Sequence, residues 1–252
     1  MSNWVCKNIA IYVIICFPLF GIAQYSDTLQ QDSLSTERFK SYVPGLIAIT
    51  YGVVALTDGP LKNLDHYIAE KRNEKHPNFH TYVDDYLRYV PFVAVYGLDL
   101  FGVKSKNSFK NKTSLVLLSG AIAYTTTNLV KGLADKQRPN QSDYKSFPSG
   151  HATIAFAGAE VINKEYGHLS PWYSIAGYAV ASATSVLRVY NNNHWFSDVV
   201  AGGGVGILST KVAYLAYPTL KRLIGGQNNK VQYTMLPTYQ QRTIGFSMVG
   251  RF

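Results

Sequence analysis

Lys131-Gly-Leu-Ala-Asp-Lys-Gln-Arg138-Pro139 and, after a polar span, Phe147-Pro148-Ser149-Gly150-His151 form the stretch that decides how this chain folds. Lys131 and Arg138 stand seven residues apart, so a helix would put them two turns apart on one face, about 10 Å along its axis. Two cations on one face call for an anion. Pro139 disfavours helix for the residue before it, which puts Arg138 where that helix gives out and a loop begins. The second half reads as a helix start: Pro148, a capping Ser149, a side-chain-free Gly150, then an apolar run from Ala152. Unpaired N–H groups near Ser149 and Gly150 would point outward at the positive end of the helix dipole, and Gly150 would let an oxyanion approach the backbone. His151 beside it is a candidate proton donor.

Working outward, the next polar cluster is Arg188-Val-Tyr-Asn-Asn-Asn-His194-Trp-Phe-Ser-Asp198. On one helical turn a carboxylate four residues from a histidine can hold one ring nitrogen and leave the other facing outward, which is how an imidazole becomes a nucleophile or base. Arg188, across the triple Asn, suits a loop that brings a planar, bidentate phosphate binder back to the site. Each segment alone has a plainer reading. A Lys-x6-Arg is commonly a solvated helix face, Ser-Gly a simple cap, and His194 with Asp198 a buried pair that ties two helices together. Three such segments in one chain favour chemistry.

In order and internal spacing, Lys131-x6-Arg138-Pro139, Pro148-Ser149-Gly150-His151 and Arg188-x5-His194-x3-Asp198 resemble the three signature motifs of the type 2 phosphatidic acid phosphatase and vanadium haloperoxidase superfamily. The likeness covers residues 90 to 216, with one departure: Leu187 stands where the family usually has a Ser before its Arg. The resemblance implies a metal-independent phosphatase. Lys131, Arg138, Arg188 and the N–H groups near Ser149 and Gly150 would surround a phosphate and neutralise its equatorial oxygens. His194, held by Asp198, would attack phosphorus to form a phosphohistidine, and His151 would protonate the leaving alkoxide. Neither a metal nor another cofactor is called for. A haloperoxidase would bind vanadate in the same pocket and is the first rival, although the superfamily's haloperoxidases are considerably longer. A non-catalytic phospholipid-binding protein of the cell envelope is the second.

Composition agrees with a lipid setting. Of the 252 residues 47% are hydrophobic and 15% charged, a charge content well below the usual quarter. A net charge of +9 could point to nucleic acid, but the basic residues are scattered and no basic-aromatic module appears, so anionic substrates or lipid headgroups explain it better. Cys6 and Cys16 both fall in an N-terminal apolar segment, which excludes a disulfide scaffold or a cysteine metal site.

Lys7, an apolar run from Ile9 to Ala23 and the small-residue exit Gly21-Ile22-Ala23 read as a signal peptide over 1–23, with an uncleaved anchor as the competing reading. This leader puts the chain in the cell envelope, with the active site expected on the extracytoplasmic side. Residues 24–43 read as a polar linker and 44–224 as the helical phosphatase domain. Its apolar stretches 44–57, 90–103, 114–130, 150–162, 170–187 and 198–216 predict an all-α bundle of about six membrane-embedded helices, rich in small residues that let helices approach. Most stretches are shorter than the roughly 20 apolar residues of a free-standing span, so a fully soluble bundle is the alternative. The connection from Asp58 to Tyr89 is long and charged, and its Asp84-Asp85 pair reads as capping or a solvated face. His66, His76, His80 and His168 lack metal-ligand spacing and read as loop or surface residues. Residues 225–252 form a tail with hairpin character. The partner these features predict is a lipid or small-molecule phosphate at a membrane, with no indication of oligomeric state.

Overall fold

The structure, a computed structural model, describes residues 39–225, 232–240 and 243–251. The leader expected over 1–23 and most of the linker lie outside the described residues. Eight helices follow in order: α1 (Val43–Val54), α2 (Pro60–Lys75), α3 (Val83–Leu87), α4 (Val90–Leu100), α5 (Phe109–Ala134), α6 (Gly150–Tyr166), α7 (Pro171–Tyr190) and α8 (Phe196–Gly225). Four of them, α1, α2, α4 and α7, carry a proline in the first turn, where its missing N–H removes no helical bond and its fixed φ suits the start.

Six helices fall on the six apolar stretches. The other two, α2 and α3, lie in the long, charged connection from Asp58 to Tyr89. Helix α2 has almost no apolar stripe, so periodicity gives no sign of it. Two strands, β1 (Gln232–Gln240) and β2 (Thr243–Arg251), pair antiparallel with Gln232 opposite Arg251; they belong to a separate unit that begins at Leu215.

Close approach between α8 and its neighbours sets the frame around the site. Gly202, Gly204 and Gly206 present backbone where other residues would present a side chain. A Cβ on Gly202 would stand 2.5 Å from the Ser149 carbonyl oxygen, and one on Gly206 would overlap the Thr153 carbonyl of α6. Gly204 does the same against Gly45 of α1. Small residues at helix crossings let dispersion contacts and backbone come together where no water helps to drive the packing. Beneath the site, Ile49, Val53, Val130, Phe147, Ala201, Val205 and Leu208 form a buried cluster joining α1, α5 and α8. Phe147, 1% exposed, anchors the residue just before the second motif; its burial is worth about 1.5–3 kcal/mol.

Two helices, α5 and the Phe196–Leu223 part of α8, are long and apolar enough to cross a membrane. The outer face of α5 is apolar, with Leu117, Tyr124 and Leu129 all exposed. An apolar stripe turned outward is the pattern of a helix in lipid rather than in water.

Candidate active site

The three motifs meet where α5 and α7 end and α6 and α8 begin. Helix α5 stops at Ala134, and Asp135 reverses the chain with φ 46°, a left-handed conformation that ends helices. Arg138 therefore lies four residues beyond the helix, not on its face with Lys131 as the spacing suggested. The two cations still converge: Lys131 Nζ donates to the Lys145 carbonyl at 2.6 Å, and Arg138 Nη2 reaches the same oxygen at 3.4 Å. Arg138 also donates through Nε to Asp143 at 2.8 Å and through Nη1 to the Asn193 carbonyl at 2.9 Å. The same Nη1 lies 3.2 Å from His194 Nε2, so the first motif touches the third.

His194 is 2% exposed and precedes α8 rather than sitting on it. The turn Asn191-Asn192-Asn193, with Asn192 at φ 59°, carries it inward. The expectation of a histidine held by Asp198 on one helical turn needs correction. Nδ1 lies 3.7 Å from Asp198 Oδ2, beyond hydrogen-bond reach, and has no hydrogen-bond partner among the described residues. The Asp198 carboxylate is instead engaged elsewhere. Oδ2 accepts from Ser146 Oγ and from the Trp195 N–H at 2.9 Å, and Oδ1 accepts from Lys136 Nζ at 2.9 Å. Burial pushes the His194 imidazole down to about 3, outweighing the nearby carboxylate, so the ring is neutral at pH 7 with a lone pair available.

Ser149 also departs from expectation. It caps α6, its Oγ accepting from the Ala152 N–H at 3.5 Å, but its own N–H donates to the Asp198 carbonyl at 2.9 Å. That N–H is therefore unavailable to an anion. The N–H groups of Gly150 and His151, first in the helix, are the ones without an intrahelical acceptor.

His151 and Arg188 are set by a segment whose sequence hid its role. Asp84 and Asp85 on α3 were expected to cap or to be solvated. Asp84 is fully buried, with Oδ2 accepting from Arg188 Nη1 at 2.6 Å and Oδ1 from Asn191 Nδ2 at 2.8 Å. Asp85 Oδ1 lies 2.7 Å from His151 Nε2. Desolvation, and then the field of Arg188, hold His151 down to about 4, whereas its hydrogen bond to His151 lowers Asp85. A neutral ring donating Nε2–H to an ionised Asp85 satisfies both. Arg72 of α2 clips the approach to α3 in place, donating to the Tyr190 and Phe79 carbonyls.

Sequence reasoning passed over Lys136, Asp65 and Arg88 and gave Asp84 and Asp85 a capping or solvated role. Lys136 Nζ bridges Asp198 and, at 3.1 Å, the buried Asp65 of α2, which also accepts from the Ser197 N–H at 2.8 Å. Lys136 lies inside the first motif, the one local hint. The others come from α2, α3 and the residue beyond it, 60 to 130 positions away from their partners. Asp84, Asp85 and His151 are the one trio among the described residues whose ligand atoms lie within 4.8 Å. Guanidinium groups of Arg188 and Arg88 already sit against that trio, so a cation there would meet like charge. A groove of about 570 Å³ is lined by His66, Glu70, Asn73 and Glu74 of α2 with Pro139 and Trp195.

Residues 112–222 match the PAP2 superfamily. Over 194 residues the chain is 36% identical to the lipid A 1-phosphatase of Porphyromonas gingivalis, covering 75% of this chain and 43% of that one. The chain spans less than half the length of that curated relative. Among solved structures, this chain is similar to LpxE of Aquifex aeolicus, at 20% identity and TM-score 0.46, covering 63% of this chain and 97% of the other. It is also similar to a transmembrane PAP2-type phosphatidylglycerolphosphate phosphatase of Bacillus subtilis, at 18% identity and TM-score 0.49, covering 73% and 98%.

Proposed function

We propose that this protein is a PAP2-type membrane phosphatase that hydrolyses phosphate monoesters or diphosphates of lipids without a metal, through a phosphohistidine. The observation that carries the reading is the 3.2 Å approach of Arg138 Nη1 to Nε2 of a buried, neutral His194. Nε2 attacks phosphorus; the N–P bond forms as the P–O bond to the leaving group breaks. Lys131, Arg138, Arg188 and the N–H groups of Gly150 and His151 offset the charge on the equatorial oxygens, the task a metal performs elsewhere. The Asp198 carboxylate beside Nδ1 stabilises the ring when it becomes positively charged. A bound phosphate dianion, together with the Asp85 carboxylate 2.7 Å from Nε2, favours protonation of the otherwise neutral His151, which then delivers that proton to the leaving oxygen. Water then cleaves the N–P bond and releases phosphate.

Two helices able to cross a bilayer and the outward apolar face of α5 support a lipid substrate, as does the relative's action on lipid A. The cell envelope, with the cup on the extracytoplasmic side, is the proposed setting. The test is release of phosphate from a chromogenic monoester in EDTA, then from a panel of phosphorylated lipids in detergent. His194→Ala should lose activity by roughly 10⁴-fold while keeping its thermal unfolding midpoint. Equal rates for variant and wild type would exclude His194 as the nucleophile.

A further inference from the structure

Exposed positive charge gathers at the end of the helical unit far from the cup. The connection from α4 to α5 and the first turn of α5 carry Lys104, Lys106 and Lys110, all exposed and none in an ion pair among the described residues. The carboxylates of that end are engaged within the protein. Glu160 and Glu165 are fully buried, and Asp99 is bonded to the buried Lys112 and to Tyr166. Elsewhere the cations have company: on α2, Lys62 pairs with Asp58 and Lys71 with Glu74. In the cup, Lys131 and Arg88 lack a carboxylate among the described residues, but the Lys145 carbonyl and the His151 ring lie against them. Apolar side chains share the far-end surface. Leu100 and Phe101 are each 88% exposed, Trp172 is 72% exposed and Phe109 68%. Large apolar groups grouped in this way mark a surface that something covers. Phe109 opens α5, whose outer side continues through Leu117 and Tyr124, the stripe turned to lipid. Lys104 follows Phe101 by three residues, Lys106 precedes Phe109 by three, and Lys110 is its neighbour. Aromatic rings at the level where acyl chains give way to headgroups, with lysine stems reaching past them, are the arrangement of a segment at a bilayer surface.

We propose that the α4–α5 connection is a docking surface for anionic phospholipid. Lys104, Lys106 and Lys110 meet the headgroup phosphates, while Leu100, Phe101, Phe109 and Trp172 enter the acyl boundary beneath them. The partner is a lipid layer rather than a soluble anion, because a free phosphate would satisfy the lysines and leave the apolar groups in water. The lipids held there are not substrates. They bind through charge and apolar contact at the opposite end from His194, and no bond in them changes. The surface therefore does not depend on the phosphatase reading.

The experiment reconstitutes the full chain in phosphatidylcholine vesicles. Electron paramagnetic resonance then compares how strongly the protein holds spin-labelled phosphatidylserine and spin-labelled phosphatidylcholine of the same chains. Wild type should prefer the anionic lipid. Lys104→Gln, Lys106→Gln and Lys110→Gln together should lower that preference by at least about fivefold, the weight of one lysine at an anionic surface. The charge-matched set Lys62→Gln, Lys71→Gln and Lys75→Gln on α2 should leave it unchanged. A preference untouched by the far-end set would overturn the surface. An equal fall in both sets would overturn it too, since net charge would then be the cause. Inorganic phosphate should leave the lysine-dependent part of the preference in place; its loss would reveal a site for a free anion and overturn the lipid assignment. The far-end variant should keep the wild-type unfolding midpoint and rate of phosphate release, because no group of the cup is altered. Lipid preference is read without turnover, so a protein that releases no phosphate would sink the phosphatase reading and leave this surface standing.

Discussion

The two ends of the helical unit bury charge in opposite ways. Far from the cup, where α4 and α6 end and α5 begins, Lys112 is fully buried against Asp99, Tyr166 donates to the Asp99 carboxylate at 2.7 Å, and Glu165 accepts from Asn107 and Tyr214. Part-way along α8, Lys211 pairs with Glu160 at 2.7 Å, with Tyr178 as a further donor. Each buried cation there has a carboxylate. At the cup, two cations have none and two histidines are held neutral. The first arrangement locks helices; the second keeps donors in reserve for a ligand.

That contrast can be broken experimentally, and the far end should give the largest effect on stability. Lys211→Met leaves Glu160 buried without its cation and should lower stability by about 3–5 kcal/mol in detergent, whereas Lys211→Met with Glu160→Gln should recover most of the loss. Phosphate release per folded molecule should stay at the wild-type rate, and a fall in both properties together would blur the division. Asp84→Asn tests the other end. Arg188 loses its carboxylate at the edge of an open cup, so kcat/KM should fall about 100-fold, about 2.7 kcal/mol at the transition state, with a smaller change in unfolding midpoint.

A third test is a pH slope. His151 and His194 are held near 4 and 3, below the ordinary 6.5. Between pH 6.5 and 4 the unfolded chain binds protons that the folded chain refuses. Stability is therefore fully present above pH 6.5 and falls as the pH drops towards 4. Thermal unfolding at pH 7 and pH 4.5 should show this, and His151→Gln with His194→Gln should flatten it. A slope untouched by those substitutions would mean that other groups carry the acid response.

Residues that act through short spacings were the legible ones. Helices α1 and α4 to α8 announce themselves as apolar stretches, and Arg138, His151, Arg188 and His194 lie in motifs a few residues long. Partners joined only by the fold were not. Asp84 reaches Arg188 across 104 positions, and Asp65 reaches Ser197 across 132. No local period records such a pairing, and α2, which carries Asp65, has no apolar face to betray it. The Asp198–His194 spacing foretold the pair but not its bonding, because the helix begins after the histidine and the carboxylate, 3.7 Å from Nδ1, accepts its hydrogen bonds from Ser146, Trp195 and Lys136.

The missing methyl at Gly202 has a reach beyond helix packing. Because Ser149 lies directly against it, the gap between the wall that leads to His194 and the wall that bears His151 is gauged there. Enlarging that one position would act as a shim, prying the walls apart without changing any charged side chain between them.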